Sequence, residues 1–354
     1  MVKLGLIAFA NDGGIGAQTR RLAYMLKPDR IMVVNSSGFS QNKAQHFEWY
    51  KGFNFFVVGS FPTNEEVRRF LPGLTHVLCV ENPYNFGLVH WGQEQGTKIL
   101  VQSNYEFCQN IAEPWLPVPD KFIMPSFWKL DEMKKRFGEN KVTYLPPPID
   151  PDEFKKTREK NLSREGKIKF LHVIGTPAAQ DRNGTFDVLE AVRRSKGDFE
   201  LTVRSQHPLS MDVFLDDPRI VYEVENIKEN ASIFDDFDAL LLPRRWGGLS
   251  LTLNESMMAG MVPLVTDISP QDMWIPQEWR VKSIHKGAFP SKVGLIDFYS
   301  VDHQVYANKI DEFAAMGRGK LEAEKEISFR IASSAFSQET LLDQYLYLFN
   351  DWKS

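Results

Sequence analysis

The sequence predicts an α/β protein built from two doubly wound, Rossmann-like domains facing a cleft. Three observations carry that expectation. The chain has 354 residues, which at roughly 150 residues per domain suggests two domains. Short apolar runs recur without polar alternation, as suits parallel strands covered on both faces. The series of such runs also breaks once, near the middle, and then resumes.

The first run is KLGLIAFA, followed by the turn NDGG and by AQTRRLAYMLK, in which Leu22, Met25 and Leu26 share one helical face. A strand, a glycine turn and a helix open a doubly wound domain. Further buried strands are expected at RIMVVN, FNFFVVG, HVLCVEN, KILVQSN and KFIMPS. At YLPPPIDPDEF three consecutive prolines forbid both helix and central strand. The polar piece KKTREKNLSREGK follows and has little to bury, so the inter-domain linker is placed here. The second series runs through KIKFLHVIG, the helical TFDVLEAVRRS, and the strands DFELTVRS, RIVYEV, DALLLP and VPLVTD, with a helix starting at NESMMAG. QETLLDQYLYLFNDW closes the chain as an amphipathic helix with Leu341, Leu342, Tyr345, Leu348 and Phe349 on its buried side. The expected division is residues 1–150, residues 151–330, and a terminal helix in 331–354 that returns to the first domain.

The totals exclude several classes. No apolar run approaches the roughly 18 residues of a spanning helix, and the opening run lacks a cleavage pattern, so a cytoplasmic protein is expected. Cys79 and Cys108 sit in apolar surroundings and read as inert buried thiols. A net charge of −4 argues against a general polyanion binder, although a local basic patch would not show in a total. Eight tryptophans fit either thick cores or a stacking surface. The sequence carries no signal for oligomeric state.

Three loops at strand ends could carry chemistry. In Asn11–Gly16, Gly14 and Gly16 let a backbone approach a ligand at a helix start, and a tight βα turn explains them equally. It is not a dinucleotide fingerprint. In Gly175–Gly184, Arg182 could hold phosphate bidentately or face solvent at a helix start. The third is PRRWGGLSLTLNESMMAGMVP, residues 243–263. There Arg244 and Arg245 follow a strand, Gly247 and Gly248 permit a turn, and the amides of Leu251 and Thr252 open a helix. Glu255 lies about one turn inside and suits either the helix dipole or a sugar diol.

This third stretch is similar to the donor-site signature of family 4-type glycosyltransferases of the GT-B fold, usually written E-G-F-G-x-x-x-x-E-A-M-A-x-G-x-P. GGIGAQTRRLA resembles that family's first glycine loop. MPSFWKLDEMKKRFGENKVTYLPPPIDPDEF resembles its domain-crossing segment, and HVIGTPAAQDRNGTFDVLEA the opening of its second domain. With the terminal helix, the resemblance covers nearly the whole chain. Gly247 stands where the first glutamate of the family's E-x7-E is expected, and Asn183 where a lysine is usual. Ser103, Asn104 and Tyr105 stand where a first-domain histidine is usual. The R-R-W-G-G pattern resembles a sub-group that includes viral and phage sequences, for which the location would be the host cytoplasm.

The resemblance implies a hexosyl- or pentosyltransferase that moves a sugar from a nucleotide-diphosphate sugar with retention, without a metal or a tightly bound cofactor. A UDP-sugar is favoured over a GDP-sugar. Arg182, Arg244 and Arg245 would stabilise the leaving diphosphate. Gly14, Gly16, Gly248, Leu251 and Thr252 would line the donor, and Glu255 would hold ribose. The leaving phosphate would take the acceptor proton itself. Glu81, Asn82, His90 and Asn104 are expected at the acceptor, which is a glycan, a small molecule or, in a sharper variant, a DNA base. The alternative is an inactive nucleotide-sugar binder; an epimerase or phosphorylase lacks its motif here.

Other groups invite a plainer reading. Asp216–Asp217 and Asp235-Asp236-Phe237-Asp238 read as solvated turns before strands and not as metal sites. His172 reads as a satisfied core histidine, and His90 with Trp91 reads equally as packing. Trp128 and KLDEMKKRFGENK read as a solvated helix face.

Overall fold

The computed structural model describes residues 1–38, 44–174, 181–209, 214–227 and 229–350. They form two compact units, one of Met1–Ile149, Ser291–Gly294 and Phe336–Ser354, the other of Asp150–Pro290 and Leu295–Ala335.

In the first unit the chain runs β1 (Leu4–Phe9), α1 (Gly14–Leu26), β2 (Arg30–Val34), β3 (Phe55–Val58), α2 (Asn64–Phe70), β4 (His76–Val80), α3 (Gly87–Glu94) and β5 (Lys98–Gln102). It continues with α4 (Gln109–Ala112), β6 (Lys121–Met124), α5 (Leu130–Phe137) and β7 (Val142–Tyr144). The strands form one parallel sheet in the order β3-β2-β1-β4-β5-β6-β7. Every residue of β1 and β4 is buried, because both faces are covered. Ile7, Phe9, Met32 and Cys79 pack into one core, while their chain neighbours Leu6, Ala8, Ile31 and Leu78 pack into the other. The period of two that the sequence lacks in hydrophobicity is thus present in packing.

The glycine turn follows from local geometry. The Asn11 side-chain oxygen accepts the Gly13 amide at 2.9 Å, and a Cβ on Gly16 would lie 1.9 Å from the Asn11 carbonyl oxygen. Gly16 is therefore required by the turn itself. Thr19 ties α1 to β1, accepting from the Phe9 amide at 3.0 Å and donating to the Ile15 carbonyl at 2.9 Å.

In the second unit α6 (Pro151–Leu162) precedes β8 (Ile168–Val173), α7 (Thr185–Arg194), β9 (Phe199–Ser205), β10 (Ile220–Val224), β11 (Ala239–Leu242), α8 (Leu251–Met258) and β12 (Val262–Asp267). Then come β13 (Arg280–Ser291), β14 (Gly294–Val301), α9 (His303–Ala314) and α10 (Arg318–Phe336). The strand order, β10-β9-β8-β11-β12-β13-β14, repeats that of the first sheet. The last helix, α11 (Gln338–Asn350), belongs to the first unit: Leu341, Tyr345, Leu348 and Phe349 enter its core. There the Tyr345 hydroxyl donates to the Pro146 carbonyl at 3.0 Å.

Two expectations are corrected here. The expected linker is the helix α6, which Asp150 caps and Pro151 starts, and which buries Phe154, Thr157 and Asn161. Its polar composition hid a three-residue buried stripe. Asp238 is not in a solvated turn; it is fully buried. It accepts from Arg164 at 2.7 Å, Lys325 at 2.7 Å, Arg318 at 3.0 Å and the Lys169 amide at 2.9 Å. Burial holds the Lys325 amine below its usual range, against the pull of Asp238. Among the described residues no helix is long and apolar enough to cross a membrane, and no group of three or more His, Cys, Asp or Glu is placed to hold a metal ion.

Candidate functional site

The loop after β11 and the start of α8 bring a set of polar groups to the carboxyl edge of the second sheet. Ser250 caps α8, its side chain accepting the Leu253 amide at 3.4 Å. Leu251 and Thr252 are the first two helical residues, so their amides have no acceptor within the helix. Glu255 is one turn further on and only 4 % exposed. The Asn230 side chain donates to its Oε1 at 2.7 Å and fixes the carboxylate's direction. Asn230 begins a short 3-10 turn, Asn230–Phe234. Sequence reasoning missed it, because nothing in a polar stretch 25 residues upstream points to Glu255.

The three arginines divide in function. Arg182 lies flat against Trp246, its guanidinium carbon 4.5 Å from the ring centroid. Gly247 has φ +101°, and a Cβ there would meet the Arg182 guanidinium at 2.2 Å. The position of the absent glutamate is thus filled by an arginine from the loop after β8. Gly184 in that loop presses on the Pro243 carbonyl, where a Cβ would stand 2.3 Å away, so the two loops are in backbone contact. Gly175–Gln180 lie outside the described residues.

Arg244 and Arg245, expected at a diphosphate, are both engaged by protein groups. Arg244 is 3 % exposed and donates from Nε to the Trp246 carbonyl at 3.2 Å and from Nη1 to the Leu249 carbonyl at 3.0 Å. It braces the turn that contains buried Gly247 and Gly248. Arg245 donates to the Tyr299 carbonyl at 3.1 Å, and its guanidinium stands 3.8 Å from Asp181 and 3.9 Å from Asp187. Its charge is shared with two carboxylates, which themselves have structural work. Asp181 accepts the Thr185 and Phe186 amides at the start of α7, and Asp187 accepts from Ser300 and His303.

The strands β13 and β14, absent from the sequence reading, support this loop. Phe289 packs edge-on to Trp246 with centroids 5.0 Å apart, and Arg245 lies 5.3 Å over Phe298. Their exposed, alternating sequence and the SKVG turn were the available signal.

In the first unit the expected residues scatter. Glu81 follows β4 with φ +69° and accepts from the Tyr84 hydroxyl at 2.7 Å. The Asn82 amide is engaged at both ends, donating to the Phe107 carbonyl and accepting the Gln109 amide, so it fastens the loop after β5. His90 is an exposed residue of α3 paired with Glu94 at 3.3 Å, neither packed nor grouped with Glu81. Asn104 is half-buried and its carbonyl accepts the Phe107 amide. Gly14 is exposed at the start of α1. Sequence reasoning missed His46, whose Nε2 lies 2.5 Å from Asp12 Oδ1 beside the glycine turn.

Three of the plainer readings agree with the structure, those for His172, the two thiols and α5. His172 is buried between the Leu241 carbonyl at 2.8 Å and the Thr185 hydroxyl at 2.9 Å. Burial raises both thiols, Cys108 to about 11, which leaves them un-ionised near neutrality. Only Met133 of α5 is buried, so that helix is largely a solvated face.

No protein-family model matches the sequence, and no curated protein sequence matches it either. Solved structures do. A glycosyltransferase from Rickettsia africae ESF-5 is similar at a TM-score of 0.70 and 13 % identity, over 100 % of this chain and 99 % of that one. Sucrose-phosphate synthase from Thermosynechococcus elongatus gives 0.67 and 12 %, over 99 % and 98 %. Anabaena HepE, in complex with UDP and glucose, gives 0.68 and 9 %, over 99 % and 100 %. At these identities the likeness establishes architecture: the chain has the GT-B fold.

Proposed function

We propose that the chain is a glycosyltransferase that moves a sugar from a nucleoside-diphosphate sugar to an acceptor hydroxyl, with retention of configuration and without a metal. One observation carries the reading: a buried carboxylate, Glu255, is held by Asn230 one turn inside a helix, and the turn that leads into that helix packs its Gly247 against the Arg182 guanidinium. A ribose diol suits a fixed carboxylate, which accepts both hydroxyl hydrogens. A diphosphate suits helix-start amides and a guanidinium, which supply positive field where charge grows on the leaving oxygen. In this reading Gly248, Leu251, Thr252 and Arg182 hold the donor, Arg244 and Arg245 shape the loop, and the leaving phosphate takes the acceptor proton. Glu81 and Asn104 are left as acceptor contacts. HepE was solved with UDP and with UDP-glucose, which supports a UDP-sugar as the donor here.

A thermal-shift screen against UDP-, GDP-, ADP- and CDP-sugars tests the donor. A bound nucleotide at ~100 times its Kd stabilises by about 2.7 kcal/mol. Nuclear magnetic resonance of the product, with and without chelator, then reads anomeric configuration and metal dependence. Inverted product or chelator-sensitive turnover defeats the finer reading; no response to any nucleotide sugar defeats the whole. Binding without transfer or donor hydrolysis would favour a non-catalytic binder, the alternative to which Gly247 points.

A further inference from the structure

We propose that Arg204 is a positioning residue: it holds the Asn230–Phe234 turn, and through Asn230 it sets the direction of Glu255. That Glu255 then meets a nucleotide rests on the transferase reading; the support of the turn does not.

Arg204 is the last residue but one of β9, at the carboxyl end of the second sheet. In the strand register it stands beside Val173 of β8 on one side and Glu223 of β10 on the other. Its carbonyl accepts the Ile174 amide at 2.8 Å, so the sheet fixes its backbone. From there the side chain reaches the 3-10 turn. Nη1 donates to the Ser232 carbonyl at 3.3 Å and to the Ile233 carbonyl, and Nε donates to Glu223 at 2.5 Å. The guanidinium carbon lies 4.9 Å from the Phe237 ring centroid, and the side chain is only 16 % exposed.

The turn needs such a brace. It holds itself with few bonds: the Ser232 amide reaches the Glu229 carbonyl at 3.0 Å, and the Asp235 amide reaches the Ser232 carbonyl at 3.4 Å. Glu225, Asn226 and Glu229, on its approach, are exposed. The last carbonyls of a helical turn lack amide partners within it, and a cationic side chain can supply them. Helix α6 secures the turn from another side, where Asn161 donates to the Phe234 carbonyl at 3.0 Å and Thr157 to the Ala231 carbonyl at 3.3 Å.

A cation that only balanced Glu223 would need no contact with the turn. Here one guanidinium joins a carboxylate on β10 to two main-chain carbonyls, and its rigid fork fixes the angle between them. The Asn230 side chain, which leads the same turn, donates to Glu255 at 2.7 Å. A turn that shifts therefore carries the partner of Glu255 with it.

A double-mutant cycle on the full chain, read by titration with UDP-glucose, tests this. Arg204→Lys keeps the charge and loses the fork, and should weaken binding about tenfold, as a lost charged hydrogen bond does. Asn230→Ala should weaken it by a similar factor. The double variant should bind no more weakly than Asn230→Ala, because Arg204 acts through Asn230. Urea midpoints should instead fall further in the double variant. Affinity losses that multiply overturn the proposal, since Arg204 then acts on the nucleotide by another route. Unchanged affinity in Arg204→Lys overturns it as well.

The second readout needs no nucleotide. The Asn230 side-chain amide resonances of the nitrogen-15-labelled chain, assigned by their loss in Asn230→Ala, should shift in Glu255→Ala and in Arg204→Lys alike. Resonances that stay in place in Arg204→Lys overturn the proposal even where affinity falls. Resonances that move in both variants, in a chain that binds no UDP-glucose, uphold the positioning and remove the transferase reading. If Arg204→Lys does not fold, Glu223→Ala releases only Nε and takes its place, with the same coupling and a loss of about threefold.

Discussion

The carboxyl edges of the two sheets share a strand order and differ in chemistry. In the second sheet the loops bring arginines: Arg182 against Gly247, Arg244 inside the turn and Arg245 between Asp181 and Asp187. In the first sheet they bring carboxylates with one imidazole. The same 3-2-1-4-5-6-7 order fixes where a ligand crevice opens, and the loops decide what charge it presents. At the second edge guanidinium groups and carboxylates are interleaved, with Arg182 over Trp246 and Arg245 beside Asp181 and Asp187.

The change expected to break this contrast most severely is Gly247→Glu, which supplies the glutamate expected from E-x7-E. On sequence grounds it should improve donor binding. The structure predicts the reverse, because a side chain there displaces the Arg182 guanidinium from Trp246. A non-glycine residue at φ +101° also costs about 1–3 kcal/mol. Loss of the UDP-induced thermal shift together with a lowered denaturation midpoint is the expected result; a larger shift than the parent's would show that Arg182 moves aside at no cost.

Next in size is Glu255→Ala. Nucleotide affinity should fall tenfold or more, the loss of one charged hydrogen-bond partner. Stability should fall by about 1–3 kcal/mol, because Asn230 loses its acceptor. Titration calorimetry beside urea unfolding separates the two. Stability loss with unchanged nucleotide affinity would assign Glu255 to structure alone.

A smaller effect sharpens the contrast without mutation. Salt screens a diphosphate held by a guanidinium and helix-start amides, so raising ionic strength from 0.05 to 0.5 M should weaken UDP binding about threefold to tenfold. Unchanged UDP affinity over that range would mean that charge does not hold the nucleotide.

The sequence disclosed different things at these edges for physical reasons. Strands were legible because a sheet covered on both faces needs unbroken apolar runs, as in LGLIAF and HVLCV. Glu255 and the helix start were legible because their spacing is local. Long-range pairings were not. Asn230 meets Glu255 from 25 residues away and His46 meets Asp12 from 34. Arg245 is anchored on Tyr299, which lies on a strand too exposed to stand out by composition. Helix α6 was hidden by its charges, and Asp238 by two acidic neighbours, of which Asp236 is exposed and Asp235 is half-buried against Thr157 and Lys160.

The least effect on binding is expected from the histidine that both edges lack. His172 lies inside the second sheet, bonded at both ring nitrogens, and desolvation holds its pKa below the usual value. In the folded chain it stays neutral where the unfolded chain, with a histidine near 6.5, takes a proton. The unfolded state therefore binds more protons as pH falls, and stability is lost with a slope of at most about 1.4 kcal/mol per pH unit below that value. Urea midpoints between pH 7 and pH 5 should fall in the parent chain and fall less in His172→Gln, whose amide can still serve Leu241 and Thr185. Nucleotide affinity at pH 7 should be the same in both. An unchanged pH slope would show that His172 can be protonated in place, and a changed affinity would bring it into the donor edge.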